Sequence, residues 1–308
     1  MSQNLTLSVS PHIHSGRSTR RIMLDVILAL LPATVAGCVI FGLRALAVIA
    51  LTVASSVGFE ALFNLIVKKK QTVGDLSAIV TGLLLALNLP ANVPLWQCVV
   101  GALFAIVIVK CLFGGLGCNP VNPAITARVF MLVAFSSMAK AASPVIVDAV
   151  AGATPLASAE SVSLLDLLLG LHGGAIGETC AAALLLGFVY LLARRVISWH
   201  VPVAFVGTVF VASFFMEGMS FTAALAAVLS GGLLIGAIFM ATDYVTSPST
   251  AWGKIIFGVG AGLITFLIRY FGSYPEGVSF AILFFNILTP FIDSWTKHKV
   301  FGVGGKKA

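Results

Sequence analysis

Charge is scarce in this sequence. Lys, Arg, Asp and Glu together make up 9% of its 308 residues, against about 25% in a soluble globular domain. That shortage excludes a water-driven fold for most of the chain. The net charge of +7 is not a nucleic-acid footprint either, because the basic residues lie at the ends of apolar runs and not on one soluble face. Cysteine is also sparse. Cys38, Cys98, Cys111, Cys118 and Cys180 show no CxxC or other ligand spacing, so they read as small apolar residues within helices and no metal site is expected. The motifs of soluble enzymes are missing: no HExxH, no P-loop, no GxGxxG opening a helix after a strand, and no arguable Ser/His/Asp order. His12, His14, His172, His200 and His298 fall near the ends of apolar runs, where interfacial solvation accounts for them.

What is abundant is apolar surface. Apolar residues reach 59% and the mean hydropathy is +1.08, the composition of an integral membrane protein with hydrocarbon as its main solvent. A bilayer crossing takes about 20 apolar residues. Runs near that length occur at 22–41, 45–67, 75–89, 94–112, 122–138, 175–193, 201–216, 221–240, 254–271 and 278–293. The polar stretch before the first run, and that run's length, predict a signal anchor and no cleavable signal peptide.

Orientation follows from the cations. With the N-terminus in the cytoplasm, fifteen Lys and Arg fall on the inner side, among them Arg17, Arg20, Arg21, Lys68, Lys69, Lys70, Arg194 and Arg195. Only Arg44, Lys140 and Arg269 fall outside. The positive-inside rule then puts both termini in the cytoplasm. The expected architecture is an all-α integral membrane protein of about ten transmembrane helices. A cytoplasmic segment (1–21) precedes a five-helix half (22–138), an outward-facing loop (139–174), a second five-helix half (175–293) and a basic cytoplasmic tail (294–308). Two halves with an odd number of spans must run in opposite senses, which is the arithmetic of an inverted repeat. In the outward loop, Ser163–Leu171 reads as a short helix on the membrane surface.

Polar residues inside apolar runs carry a default functional suspicion. Glu60 lies within the second run. Asn119, Pro120, Asn122, Pro123 and Arg128 form a break leading into the fifth. Thr242, Asp243, Thr246 and Ser247 form another, and the apolar stretch running into it, Leu233–Met240, can be set beside Leu83–Pro90 in the first half. Freed helix ends at such breaks offer backbone groups to a ligand. Glu60, Arg128 and Asp243 could line an ion path, hold a cofactor or pair with one another. Asp25, Lys110 and Lys254 read as side chains snorkelling at the interface.

The longest stretch that is neither apolar nor helical contains Asp148-Ala149-Val150-Ala151-Gly152-Ala153-Thr154. On chemistry alone this is a surface turn with one exposed and weakly nucleophilic hydroxyl. It resembles the flavin-transferase recognition motif Asp-x-x-Ser/Thr-Gly-Ala-Thr. Asp148, Gly152, Ala153 and Thr154 match, and Ala151 stands where Ser or Thr is usual. Ser10-Pro11-His12 with Ser18, Met23, Asp25 and Val26, the Asn119–Ala124 break and Ala241-Thr242-Asp243 also resemble one family. It includes the D subunit of Rnf-type ion-translocating oxidoreductases and the B subunit of sodium-pumping NADH:quinone reductase. The likeness covers essentially the whole chain. The lack of a long N-terminal extension points to the Rnf branch.

The resemblance implies FMN joined to Thr154 by a phosphoester on the outer face, and leaves room for a noncovalent riboflavin. It implies a flavin transferase for maturation. The assembly would be a complex with the A, B, C, E and G subunits in the cytoplasmic membrane, moving electrons between ferredoxin and NAD and coupling them to sodium or proton transport. Electrons would come from the G subunit, and no activity is expected of the isolated chain. Glu60, Asn119, Asn122, Arg128, Thr242, Asp243 and Thr246 are the candidate flavin-pocket or ion-path residues. The competing reading is a small-solute transporter or channel built from inverted repeats without a redox cofactor.

Overall fold

Long apolar runs with polar caps set the helices. The computed structural model describes residues 18–135, 163–272 and 277–297. Helix α1 (Thr19–Phe41) starts where the Arg21 N–H donates to Ser18 Oγ at 3.3 Å, and Gly42, at φ 69°, turns the chain into α2 (Leu43–Ile66). Then come α3 (Ser77–Leu87), α4 (Leu95–Cys111), α5 (Pro123–Ala134), α6 (Leu164–Leu169), α7 (Ala181–Ala193) and α8 (His200–Met216). They are followed by α9 (Phe221–Leu229), α10 (Leu233–Met240), α11 (Ala251–Phe271) and α12 (Val278–Thr296). Asn122, Ser163, Ser220 and Thr250 each cap a following helix by accepting its first free N–H groups, as N-cap residues do. The short helix expected at 163–171 is α6.

Each of the ten apolar runs carries helix, but their lengths differ from expectation. Among the described residues, α1, α2, α11 and α12 are long and apolar enough to cross a membrane, and α9 with α10 forms a fifth candidate bent by 65°. Helices α3, α5 and α7 have only 11, 12 and 13 residues. The runs of α3 and α7 look longer in sequence because residues 88–89 and 175–180 are irregular backbone packed inside the protein. Such backbone is tolerated at membrane depth only where protein or a cavity surrounds it. The ends of α4 and α10 are π-helical, at Phe104–Cys111 and Gly236–Met240. The N–H groups of Leu112 and Ala241 reach back five residues, to Val107 O and Gly236 O.

Helix α2 packs against α3 and α4, α8 against α9 and α11, and α11 against α12. Helix α1 meets α7, and α5 meets α12. Without a hydrophobic drive between helices in lipid, close approach at small residues supplies the packing energy. A Cβ on Gly187 of α7 would lie 2.3 Å from Ala29 O of α1, and one on Gly262 of α11 would lie 2.7 Å from Thr208 Cβ of α8. Gly187→Val is therefore expected to force α1 and α7 apart, at a cost of about 1–3 kcal/mol. Thermal denaturation of the detergent-solubilised protein should show a lowered midpoint.

The bend between α9 and α10 leaves carbonyls without helical partners. Arg269, in the last turn of α11, donates to Ala227 O at 2.6 Å and to Ser230 O at 3.2 Å. Arg44 does the same for Val93 O at 3.0 Å. Arg269 thus stands at the C-terminal end of α9, where positive charge is favourable, and Arg44 holds a carbonyl of the turn before α4. Arg269→Ala should cost about 2–5 kcal/mol, for two charge-assisted bonds to otherwise unsatisfied carbonyls. Limited proteolysis should cut within 227–233 faster in the variant; equal rates would contradict this role.

Candidate functional site

Three short or broken elements end at the same place, and this makes the site. Helix α3 begins there, the π-helical end of α4 stops there, and α10 runs out into the 241–250 break. Between them lies a cavity of about 780 Å³, its open mouth included. Its walls include Val26 of α1, Val80 and Leu84 of α3 and Phe239 of α10, with Ser77, Lys110, Asn119, Asn122, Thr242 and Asp243 as polar lining. Arg21, Arg194 and Lys254 line adjoining pockets that share Val196 and Tyr244 with it. The cavity therefore opens at the basic end of the helical body.

Of the residues singled out from sequence, Asn119, Asn122, Thr242 and Asp243 come together here. Asn122 does two jobs. Its Oδ1 caps α5 by accepting from Ala124 N–H at 3.0 Å, and its Nδ2 donates to Met240 O at 3.1 Å. One carboxamide thus ties the break before α5 to the π-helical end of α10. Thr242 donates to Ile238 O at 2.6 Å. Thr246 stands behind the lining and donates to Asp243 Oδ2 at 3.0 Å, while its carbonyl accepts from Thr289 at 2.9 Å.

Glu60 does not line the cavity but is joined to it through Lys110. Both side chains are buried, at 3% and 2% exposure, with Lys110 Nζ 3.1 Å from Glu60 Oε1. The ammonium also donates to Glu60 Oε2 at 3.2 Å and to Ser77 Oγ at 2.6 Å. Thr72 donates to Glu60 Oε1 at 2.7 Å, and Asn64 donates to Thr72 at 2.9 Å. The reading of Lys110 as a snorkelling side chain is corrected: its end is fully enclosed. The π-helical winding carries it away from the surface and toward α2 and α3. The sequence signal was Glu60 alone, since a carboxylate isolated in an apolar run commonly pairs with another polar group; it does not single out Lys110. Asp25 is also better described as paired. It accepts from Tyr190 at 3.0 Å and from Arg194 Nε at 3.3 Å.

Arg128 belongs to a second cluster, one helical turn past Ala124 of the cavity wall. Its Nη1 donates to Asn88 Oδ1 at 2.7 Å, and its Nη2 lies 4.0 Å from Glu178 Oε2. Glu178 was not expected as a partner; it comes from an irregular segment between α6 and α7. That segment is held by Ile176 N–H on Leu89 O at 3.0 Å and Gly177 N–H on Leu87 O at 2.7 Å. Asp148, Gly152, Ala153 and Thr154 lie outside the described residues. The residues that bracket their loop do not: Phe135 packs on Trp96 at the start of α4 (centroids 5.2 Å apart), and Gly170, just past α6, lies against Ile40. Both anchor points are thus at the end opposite the basic mouth.

Helices that cross or break within an apolar body, with buried charge at their breaks, define a multi-pass membrane protein of the transport class. Among the described residues no group of His, Cys, Asp and Glu could hold a metal ion. The chain belongs to the NQR2, RnfD, RnfE family, whose model matches residues 6–302. It is 48% identical to the D subunit of the Na(+)-translocating ferredoxin:NAD(+) oxidoreductase complex of Acetobacterium woodii, over 97% of this chain and 96% of that protein. It is 40% identical to the D subunit of the proton-translocating ferredoxin:NAD(+) oxidoreductase complex of Clostridium ljungdahlii, over 96% of each. Identity to the D subunit of the ion-translocating oxidoreductase complex of Cronobacter sakazakii is 36%, over 96% of this chain and 98% of that one.

Proposed function

We propose that this chain is the D subunit of an ion-translocating ferredoxin:NAD oxidoreductase complex, carrying FMN on Thr154. The identity of 48% across nearly the whole chain to a protein so named carries the reading. It favours electron transfer over the solute-channel alternative. The partners are then the A, B, C, E and G subunits, with a flavin transferase acting before assembly. The coupling ion is sodium or a proton; two of the relatives are named for one each.

The topology proposed is ten spans in two inverted halves in the cytoplasmic membrane, with both termini inside and Thr154 outside. The meeting of α1 with α7 and of α5 with α12 supports it, since a two-fold arrangement pairs equivalent elements at its axis. The basic residues around the cavity mouth support an inward-facing cavity. The anchor points of the Thr154 loop at the far end support an outward flavin.

FMN would supply one- and two-electron redox chemistry at a fixed place. Thr154 Oγ would hold its phosphate, with Asp148, Gly152 and Ala153 presenting that hydroxyl to the transferase. The central cavity is the place proposed for a noncovalent flavin such as riboflavin. Val80, Leu84 and Phe239 offer apolar walls of the right kind, and Asn119 and Thr242 lie at its polar rim. Glu60, joined to Lys110, and Asp243 are the proposed ion-path carboxylates. Expressing the chain in hosts with and without the transferase tests the core of this reading. Flavin fluorescence on a denaturing gel is expected only with it, and a colourless chain from both hosts would refute the covalent flavin.

A further inference from the structure

Helices α8 and α11 run side by side in the same direction. A Cβ on Gly258 would lie 2.9 Å from Val201 O, and one on Gly262 would lie 3.0 Å from Phe205 O, so four residues along one helix match four along the other. Both helices therefore start at the same end of the body. Between the turn before α8 and the break before α11 lies a pocket of about 590 Å³, its open mouth included. Arg195, Ser198, Ser247 and Lys254 line it, with Thr242 and Tyr244. The Tyr244 hydroxyl donates to Val196 O and ties the turn to the break. These two residues form part of the wall shared with the central cavity. No carboxylate among the described residues lines this pocket. Asp25 and Asp243 line the neighbouring ones, where Asp25 accepts from Arg194 and Tyr190 and Asp243 from Thr246.

Each cation of the pocket breaks one local rule. Arg195 follows α7 with φ at 53°. Its N–H donates to Leu192 O and that of Val196 to Leu191 O, both at 2.9 Å. This is the helix-closing turn whose left-handed residue is usually glycine. Lys254 lies in the first turn of α11, the end at which a helix dipole disfavours positive charge. Departures from local rules are expected where function demands them, and a bound anion would account for both. The pocket also sits in an aromatic band. Trp199 precedes α8, Trp252 is in the first turn of α11, Trp295 is in the last turn of α12, and all three are exposed. Thr250 and Thr296, 2.6 Å apart, hold the end of α12 beside the start of α11. Three of the four tryptophans thus mark this end as a membrane–water boundary. Leading away from it down α11, Ile256, Val259, Leu263 and Leu267 are exposed at helical spacing. That stripe is about 16 Å long at the rise of a helix, close to half of a hydrocarbon core about 30 Å thick.

We propose that this pocket holds the phosphate of an anionic phospholipid, with an acyl chain lying along the α11 stripe. The Arg195 guanidinium and the Lys254 ammonium supply the charge, and the Ser198 and Ser247 hydroxyls donate to phosphate oxygens. Basic pockets between membrane helices suit such headgroups. A free phosphate compound would meet the same cations and hydroxyls. The tryptophan band and the apolar stripe favour the lipid, because they serve only a ligand that carries an acyl chain at the boundary. The proposal needs the membrane-spanning character of the chain and nothing of the flavin on Thr154.

The test uses the full chain, delipidated in a non-ionic detergent. Lipids brominated in their acyl chains quench the tryptophans that flank the pocket. Brominated phosphatidylglycerol should quench at a concentration roughly tenfold below that of brominated phosphatidylcholine, because two cations act on its net charge. Arg195→Gly removes one cation and suits the left-handed backbone, so its thermal midpoint should equal or exceed that of wild type while the preference falls to roughly threefold, the share of one cation. Lys254→Gln should behave alike, the double variant should show no preference, and Arg195→Lys should keep it. Glycerol 3-phosphate, which has the phosphate without the chains, should not compete at concentrations where unlabelled phosphatidylglycerol does. Equal quenching by the two lipids in wild type would overturn the proposal. An unchanged preference in folded Arg195→Gly or in the double variant would do the same. Competition by glycerol 3-phosphate as strong as that by the lipid would assign the pocket to a free phosphate compound and overturn the lipid.

Discussion

Thr154→Ala is expected to abolish flavin fluorescence of this chain on a denaturing gel, and with it electron transfer through the assembled complex. Denaturation releases a flavin held only by packing and hydrogen bonds, so what remains in the gel is covalently attached. A phosphoester needs a hydroxyl, and Thr154 is the hydroxyl that the Asp148-x-x-Ala151-Gly152-Ala153-Thr154 pattern presents. Thr154→Ser keeps that hydroxyl and should retain partial labelling. Asp148→Ala keeps the hydroxyl but alters the pattern, and should reduce labelling without changing the chain's stability. Ala151→Ser restores the residue usual at the one position out of pattern, and labelling should be equal or greater. Fluorescence retained in Thr154→Ala would move the attachment to another residue of the chain and leave the redox role standing. The measurement needs no activity of the complex, so it separates loss of cofactor from loss of assembly.

The parts of this molecule that were legible in sequence are those set by local rules. Apolar runs marked the helices, because hydrocarbon forces every backbone group into internal bonds. Short polar residues, Ser18, Asn122, Ser163, Ser220 and Thr250, stand just before these runs and cap their helices. The breaks at Asn119–Pro123 and Thr242–Ser247 marked the cavity. Less legible was everything that depends on partners distant in the chain. Lys110 sits fifty residues from Glu60, and nothing local distinguishes it from a lysine at a span end. Glu178 stands in Gly177-Glu178-Thr179, which reads as the start of a span; only the fold brings it to Arg128. The π-helical winding at Phe104–Cys111 and Gly236–Met240 has no composition of its own here. It is the geometry that brings Lys110 to Glu60 and Ser77, and Met240 O to Asn122. Helix length was overestimated for the same reason, since an apolar residue in a buried irregular segment looks like one in a helix.

Lys110→Met is expected to be the most destabilising single change at the basic end. It leaves the Glu60 carboxylate at 3% exposure with Thr72 as its remaining side-chain donor among the described residues. Stripping one partner from a buried pair typically costs about 3–5 kcal/mol, whereas replacing both by apolar groups is often neutral. Glu60→Leu together with Lys110→Met should therefore recover most of the stability lost in Lys110→Met, as judged by the thermal midpoint of the solubilised complex. That recovery separates structure from function. If the pair serves only to hold α2, α3 and α4 together, the double variant should pump ions as well as wild type. If Glu60 carries ions, the double variant should pass electrons from ferredoxin to NAD at an undiminished rate while sodium or proton uptake into vesicles falls to background. Glu60→Gln, which keeps the shape and an acceptor for Lys110, should show the same split with a smaller loss of stability. Unchanged transport at unchanged electron flux in Glu60→Gln would assign the pair to architecture alone. The path would then have to be sought at Asp243, which shares the cavity with Lys110 but owes its position to Thr246.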